Sequence, residues 1–244
     1  MYAELFRAQA AKEIWVQHIG IVGCSAEGAS LCYRTICTEA PAMLGGHAHP
    51  EITMHTPSLQ AYVTCLDADD LDGVAALMLR SAEVLAGAGV DFLICPDNTI
   101  HQAMEIVRPR SPLPWLHIAE VVAEEAVQRG LVRLGILGTR WLMESDVYPV
   151  ALDARGISHL IPGEDERVEI ARIIMDELVM GRVVAGSTAR LREISADLQA
   201  AGCDGVVLGC TELPLVLDEE SLGLPALDST RLLARAALER AIGG

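Results

Sequence analysis

The 244-residue chain is 51% apolar but only 4% aromatic, so aliphatic side chains must fill its core, as suits helices laid over parallel sheets. Thirty-four acidic residues against 18 basic ones leave a net charge of −16, which disfavours nucleic acid and anionic membrane surfaces, since both want a basic footprint. An anionic small substrate stays open, because a pocket needs only a few local donors. The seven cysteines include no CxxC, so neither a disulfide framework nor a zinc ribbon is suggested, and free thiols in a reducing compartment are expected. The only lysine is Lys12, which leaves no placeable Schiff-base lysine for pyridoxal phosphate and none for a Walker A loop. No apolar run approaches the roughly 18 residues of a membrane helix. The opening MYAELFRAQAAKEIW carries charges throughout and has no apolar h-region, so a cytoplasmic protein without a signal peptide is expected.

In chain order, HIGIVG (18–23) reads as a first buried strand and EITMHT (51–56) as a second. An amphipathic helix over 69–88 leads into the strand VDFLICP (90–96). PWLHIA (114–119) reads as a short strand and 120–129 as a helix. LVRLGILGT begins another strand, followed by a helix, SHLIPG, a long helix near 166–180, a further helix over 188–200 and the strand DGVVLG (204–209). LDSTRLLARAALERAI closes the chain as a helix. This alternation predicts an α/β fold with parallel sheets covered by helices on both faces.

The chain also resembles itself. Ile19-Gly20-Ile21-Val22-Gly23 is echoed by Leu134-Gly135-Ile136-Leu137-Gly138, and AGAGVDFLICPDNT (86–99) lies over QAAGCDGVVLGCTE (199–212) without a gap. In that overlay Gly89 meets Gly202, Asp91 meets Asp204 and Asp97 meets Cys210. The expected organisation is two pseudosymmetric, Rossmann-like halves with a cleft between them at the carboxyl ends of their strands. Residues 1–115 would carry Asp97 and residues 116–244 would carry Cys210, with the C-terminal helix free to pack back on the first half.

Each half ends a buried strand with a small polar triplet, Asp97-Asn98-Thr99 and Cys210-Thr211-Glu212. A strand-to-helix turn exposes its first side chain and aims backbone N–H groups at the cleft, which suits a carboxylate. Pseudo-twofold symmetry sets Asp97 and Cys210 on opposite sides of one ligand, as a two-base stereoinversion requires. The competing reading makes both triplets ordinary helix N-caps. Cys95 overlays Leu208 and reads as a buried structural thiol; Cys65 and Cys203 read the same way, while Cys24 lines the cleft without reacting. His101 either faces the cleft, orienting a carboxylate or Asp97, or points to solvent. His47, His49 and His55 lack carboxylates at ligand spacing, so no metal is expected. GCSAEG (23–28) has Glu27 where a hydrolase elbow needs glycine, and reads instead as a loop whose backbone or Ser25 hydroxyl meets the ligand.

At four motifs the chain resembles the aspartate/glutamate racemase family, with its hydantoin racemase, maleate isomerase and arylmalonate decarboxylase relatives. They are GIVGCSAEGASLCYR (20–34), FLICPDNTIH (92–101), GTRWLMESDVY (138–148) and GCTELPL (209–215), in the family's order along nearly the whole chain. The resemblance implies two pseudosymmetric α/β domains, frequent homodimers, a cysteine base in each half and no cofactor. Cys210 falls on the second family cysteine and Thr211 and Glu212 continue its motif, while Asn98, Thr99 and His101 match residues that follow the first cysteine. Asp97 stands in place of that first cysteine. A carboxylate is a competent general base, but beside a carboxylate substrate it tends toward protonation. The expected activity is therefore racemisation of aspartate, glutamate or a similar small acid by Asp97 and Cys210. Ser25, Asn98, Thr99, Thr139 and Thr211 are the expected substrate contacts, His101 and Glu212 support them, and Arg34, Arg140 or Arg167 would supply a cation. The alternatives are a decarboxylase or isomerase in which Cys210 alone protonates a carbanion, and a non-catalytic dicarboxylate-binding protein.

Overall fold

Seven strands make two wholly parallel sheets in the computed structural model, among its described residues 16–243. The segment read for a signal peptide, with Lys12, lies outside the described residues. Strands β1 (Ile19–Val22), β2 (Ile52–His55) and β3 (Phe92–Ile94) are ordered β2-β1-β3. Strands β4 (Arg133–Leu137), β5 (Ser158–Leu160), β6 (Gly205–Leu208) and β7 (Ala226–Asp228) are ordered β5-β4-β6-β7. β1, β3 and β6 are buried along their whole length, which is why they read as unbroken apolar runs rather than as alternation.

The internal repeat is physical. Gly89 (φ 81°) and Gly202 (φ 96°) both take the left-handed conformation that turns a helix into the next strand, where a Cβ would be strained. Asp91 accepts a hydrogen bond from the His18 N–H at 2.7 Å, tying the start of β1 to the start of β3. Asp204 repeats this at β4 and β6, accepting from the N–H groups of Val132 (2.8 Å) and Arg133 (2.9 Å). Asp97 and Cys210 thus leave matched strands, β3 and β6, at matched ends.

The repeat reaches further than the sequence suggested. The expected strand over 114–119 is a single parallel bridge from Trp115 to Leu93, because His117 already caps the Ile118–Gln128 helix by accepting from the Ala119 N–H at 3.2 Å. That bridge beside β3 corresponds to β7 beside β6, and each is followed by a helix that crosses to the other half. Ala119, Val122, Ala123 and Ala126 pack with Leu134 and Ile136 of β4. The Ser229–Gly243 helix packs Leu233, Ala234, Ala237 and Leu238 against Ile19, Ile21, Phe92 and Ile94 of the first sheet. Fully burying a leucine or isoleucine contributes roughly 1.5–3 kcal/mol, so this exchange clamps the two halves together.

Three other readings are corrected. Residues 23–28 are not a loop throughout: Ser25 caps a helix, Ala26–Glu39, by accepting from the Gly28 N–H. The long helix near 166–180 is an α-helix, Glu164–Arg172, running into a π-helical turn, Ile173–Leu178. A helix the sequence did not announce, Leu59–Asp67, precedes the expected one, which spans Leu71–Gly87. Among the described residues no helix is long and apolar enough to cross a membrane.

Candidate active site

A small cleft opens at the carboxyl ends of β1, β3, β4 and β6, where open α/β sheets place their ligands. Its lining includes Ser25, Asp97, Asn98, Thr99, Thr139, Cys210, Thr211 and Glu212, so eight of the nine site residues proposed from sequence meet here. His101 is the exception.

Asp97 Oδ1 accepts from the Ile100 N–H at 3.2 Å, capping the short 3₁₀ turn Thr99–Ala103 that follows. Burial raises its carboxyl above the usual range; the Ile100 amide, donating to it, opposes that rise. Cys24 is itself buried, and burial with the neighbouring Asp97 charge drives its thiol far upward, so it stays protonated and is no nucleophile. His101 lies behind Asp97, facing a second cavity, rather than in the cleft or in solvent. Its Nε2 accepts from the Ile118 N–H at 3.4 Å, which leaves Nδ1–H to donate to the Asp97 carbonyl at 2.6 Å. Burial, then the edge-on His117 ring 4.6 Å away, holds His101 well below its ordinary pKa, so it is a neutral brace for the Asp97 backbone.

Across the cleft, Glu212 Oε2 accepts from the Cys210 thiol at 2.9 Å and from the Thr211 hydroxyl at 2.8 Å. Burial, followed by the Glu212 charge and this hydrogen bond, pushes the Cys210 thiol well above its ordinary value, with Asp97 adding to the effect. The resting site therefore presents a thiol acid on the β6 side and a carboxyl group on the β3 side.

Several polar contacts join the halves. Thr99 Oγ1 and Thr139 Oγ1 share a hydrogen bond at 2.8 Å, and Ser25 Oγ and Thr211 Oγ1 approach to 3.5 Å. Asn98, only 2% exposed, has its amide largely taken: Oδ1 accepts from the Tyr148 hydroxyl at 2.7 Å, and Nδ2 donates to Ser229 Oγ at 2.9 Å. It braces the interface, with one N–H left for a ligand. Sequence reasoning missed Tyr148 as its partner, although Tyr148 stands in the GTRWLMESDVY motif. It also missed Gly28, where an added Cβ would stand 2.7 Å from both the Pro96 carbonyl oxygen and Thr211 Cγ2; only glycine lets that helix start so close to the segments that leave β3 and β6.

Most of the remaining lining is apolar and was not foreseen: Leu59, Val63 and Leu66 from the first half, and Trp141, Ile174, Met175 and Val179 from the second. Among the described residues no lysine, arginine or histidine lines the cleft. Of the cations sought in the sequence, Arg34 is exposed on the Ala26–Glu39 helix, and Arg140 and Arg167 both pair with Glu144 at the surface. Among the described residues no group of three or more His, Cys, Asp or Glu is arranged to hold a metal ion. His49 bonds instead to the Pro50 carbonyl and His55 to Ser81.

Residues 19–237 match the family model described as Asp/Glu/Hydantoin racemase. The chain belongs to this racemase family. The broad-specificity amino-acid racemase RacX of Bacillus subtilis is 26% identical over 171 residues, covering 69% of this chain and 73% of that protein. A crystal structure from Yersinia pestis, described as a candidate Asp/Glu racemase, is 30% identical with a TM-score of 0.85, covering 92% of this chain and 99% of that one. An aspartate racemase homologue from Pyrococcus horikoshii is 26% identical with a TM-score of 0.80 over the same shares. The family recognised in four motifs is thus borne out, as are its two α/β halves. In this chain Asp97 and Cys210 stand at the matched ends of β3 and β6.

Proposed function

We propose that this protein is a cofactor-independent amino-acid racemase in which Asp97 and Cys210 serve opposite faces of Cα. The reading is carried by their placement at symmetry-matched strand ends, β3 and β6, on one small cleft. Ser25 and whichever of Thr99 and Thr139 keeps its O–H free of their shared bond, with the last N–H of Asn98, hold the α-carboxylate, while Thr211 spends its one O–H on Glu212 and steadies that side of the site. In the forward direction the Asp97 carboxylate takes the Cα proton, and the electron pair left on carbon spreads into the α-carboxylate as an enolate-like state. The cleft's hydroxyl and amide donors stabilise that charge where it develops. Cys210 then gives its thiol proton to the opposite face, leaving a thiolate and a protonated Asp97. After product leaves, Asp97 releases one proton to water and Cys210 takes one up. His101 pins the Asp97 backbone and Glu212 holds the Cys210 thiol. The reading carries a homodimer with it, which sedimentation tests against the 26.1 kDa of one subunit.

The thiol held protonated beside Glu212 also favours a second reading, in which Cys210 alone protonates a carbanion left by loss of carbon dioxide. Incubation of single amino-acid enantiomers in D₂O separates the two. Racemisation puts deuterium on Cα of the inverted product without releasing carbon dioxide, and this is the result expected. Carbon dioxide release from a substituted malonate without inversion of any amino acid would favour the second reading.

A further inference from the structure

We infer that the substrate is an α-amino acid whose side chain is apolar, aliphatic or aromatic, rather than one bearing a second carboxylate. The inference rests on the racemase reading and concerns the part of the same cleft that this reading leaves unused. Polar groups gather at the strand ends, where Thr99 and Thr211 are buried. The rest of the lining is largely apolar, Trp141 and Met175 among its aliphatic side chains. Leu59, Val63 and Leu66 follow one another at i, i+4 and i+7 on the Leu59–Asp67 helix, which sets them on one stripe. That helix belongs to the first half.

A second set of apolar lining residues comes from the second half. Its backbone is the π-helical turn Ile173–Leu178, in which the Val179 N–H donates to the Ile174 carbonyl at 2.9 Å. In an α-helix residues five apart stand well off one another's face; the wider turn brings Ile174 and Val179 to the same side. Both line the cleft, with Met175 between them. A π turn is rarer and less regular than the helix it interrupts, and here it presents an apolar surface to the ligand. Val179 reaches 36% exposure, so this wall extends to the mouth.

Charge points the same way. The cleft already holds the carboxyl groups of Asp97 and Glu212, and among the described residues no cation lines it. A second substrate carboxylate would be desolvated beside like charges with nothing to pair it. A substrate ammonium finds partners in those same carboxylates, and an apolar side chain finds the two walls.

The test compares deuterium wash-in at Cα, with chiral chromatography, for L-leucine, L-methionine, L-phenylalanine, L-aspartate and L-glutamate on the full chain. At least one apolar amino acid should exceed both acidic ones in kcat/KM by roughly a hundredfold. Exchange of aspartate or glutamate as fast as the best apolar amino acid overturns this inference and leaves the racemase reading standing. Exchange of none overturns the racemase reading, and the inference with it. Val63→Arg, with folding checked by circular dichroism, places a cation in the apolar wall. It should shift the preference toward glutamate by about tenfold or more. An unchanged preference in the folded variant means that the walls do not hold the side chain, and also overturns the inference.

Discussion

Removing one hydroxyl tests whether Asn98 braces the interface between the halves. In Tyr148→Phe the ring stays and no cavity forms, but Asn98 Oδ1 loses the donor it has at 2.7 Å. Tyr148 is 1% and Asn98 2% exposed, so water does not take the donor's place. Leaving a buried acceptor unpaired costs about 1–3 kcal/mol. For a chain of this size that is a fall in Tm of roughly 2–12 °C, at about 2–4 °C per kcal/mol. Urea unfolding should show the loss as a lower midpoint with an unchanged m-value. Because Asn98 adjoins Asp97, kcat should fall about tenfold through misplacement of the base. Asn98→Leu removes the other partner, and the double variant should show a coupling of about 1 kcal/mol or more. A Tyr148→Phe protein within about 0.3 kcal/mol of the parent, or strictly additive losses, would refute the bracing role.

Gly28→Ala should lower stability by about 1–3 kcal/mol and depress turnover, since the Pro96 carbonyl it meets is backbone and cannot swing away; thermal unfolding and initial rates check both. Burial holds His117 at about 4 against an ordinary 6.5, with Arg108 adding to the effect. The unfolded chain is then the better proton binder between those values, so stability is full above about 6.5 and falls as the pH drops toward 4, by up to about 3 kcal/mol. His117→Asn keeps a capping oxygen and should flatten that part of a urea-midpoint-versus-pH curve. Cys95→Ala should cost about 1 kcal/mol of packing and leave turnover intact, whereas Cys210→Ser should remain folded and lose activity. Equal inactivation of both would misplace the catalytic register.

What could be read from the chain, and what could not, follows the range of the forces involved. The overlay of 86–99 on 199–212 was legible because each member of the repeat has a local job: a left-handed glycine, an aspartate tying two strand starts, and a side chain at a strand end. The Ala26–Glu39 helix was not. Its glycine, serine, threonine, cysteine and tyrosine content is poor in helix propensity, and close packing around Gly28 overrides that. β7 and the Trp115 bridge are too short to show a period. Asn98 read as a ligand contact because its partners Tyr148 and Ser229 lie 50 and 131 residues away, beyond any local pattern. The π turn left no mark in composition, so an ordinary long helix was the expectation there. The Leu59, Val63 and Leu66 stripe was visible in the residues, but only the cleft gives it meaning.

The most direct test of the two-base account is the paired measurement of enantiomer ratio and Cα deuterium for the parent, Asp97→Asn and Asp97→Cys. Asparagine can keep the cap to the Ile100 N–H but is no base, so inversion should stop, while exchange on the face served by Cys210 can persist. Cysteine at 97 should restore inversion with a symmetric thiol pair, at a rate set by how well the shorter side chain reaches Cα. Asp97→Asn inverting its substrate at the parent rate would make Asp97 a helix cap and nothing more, and would contradict the account.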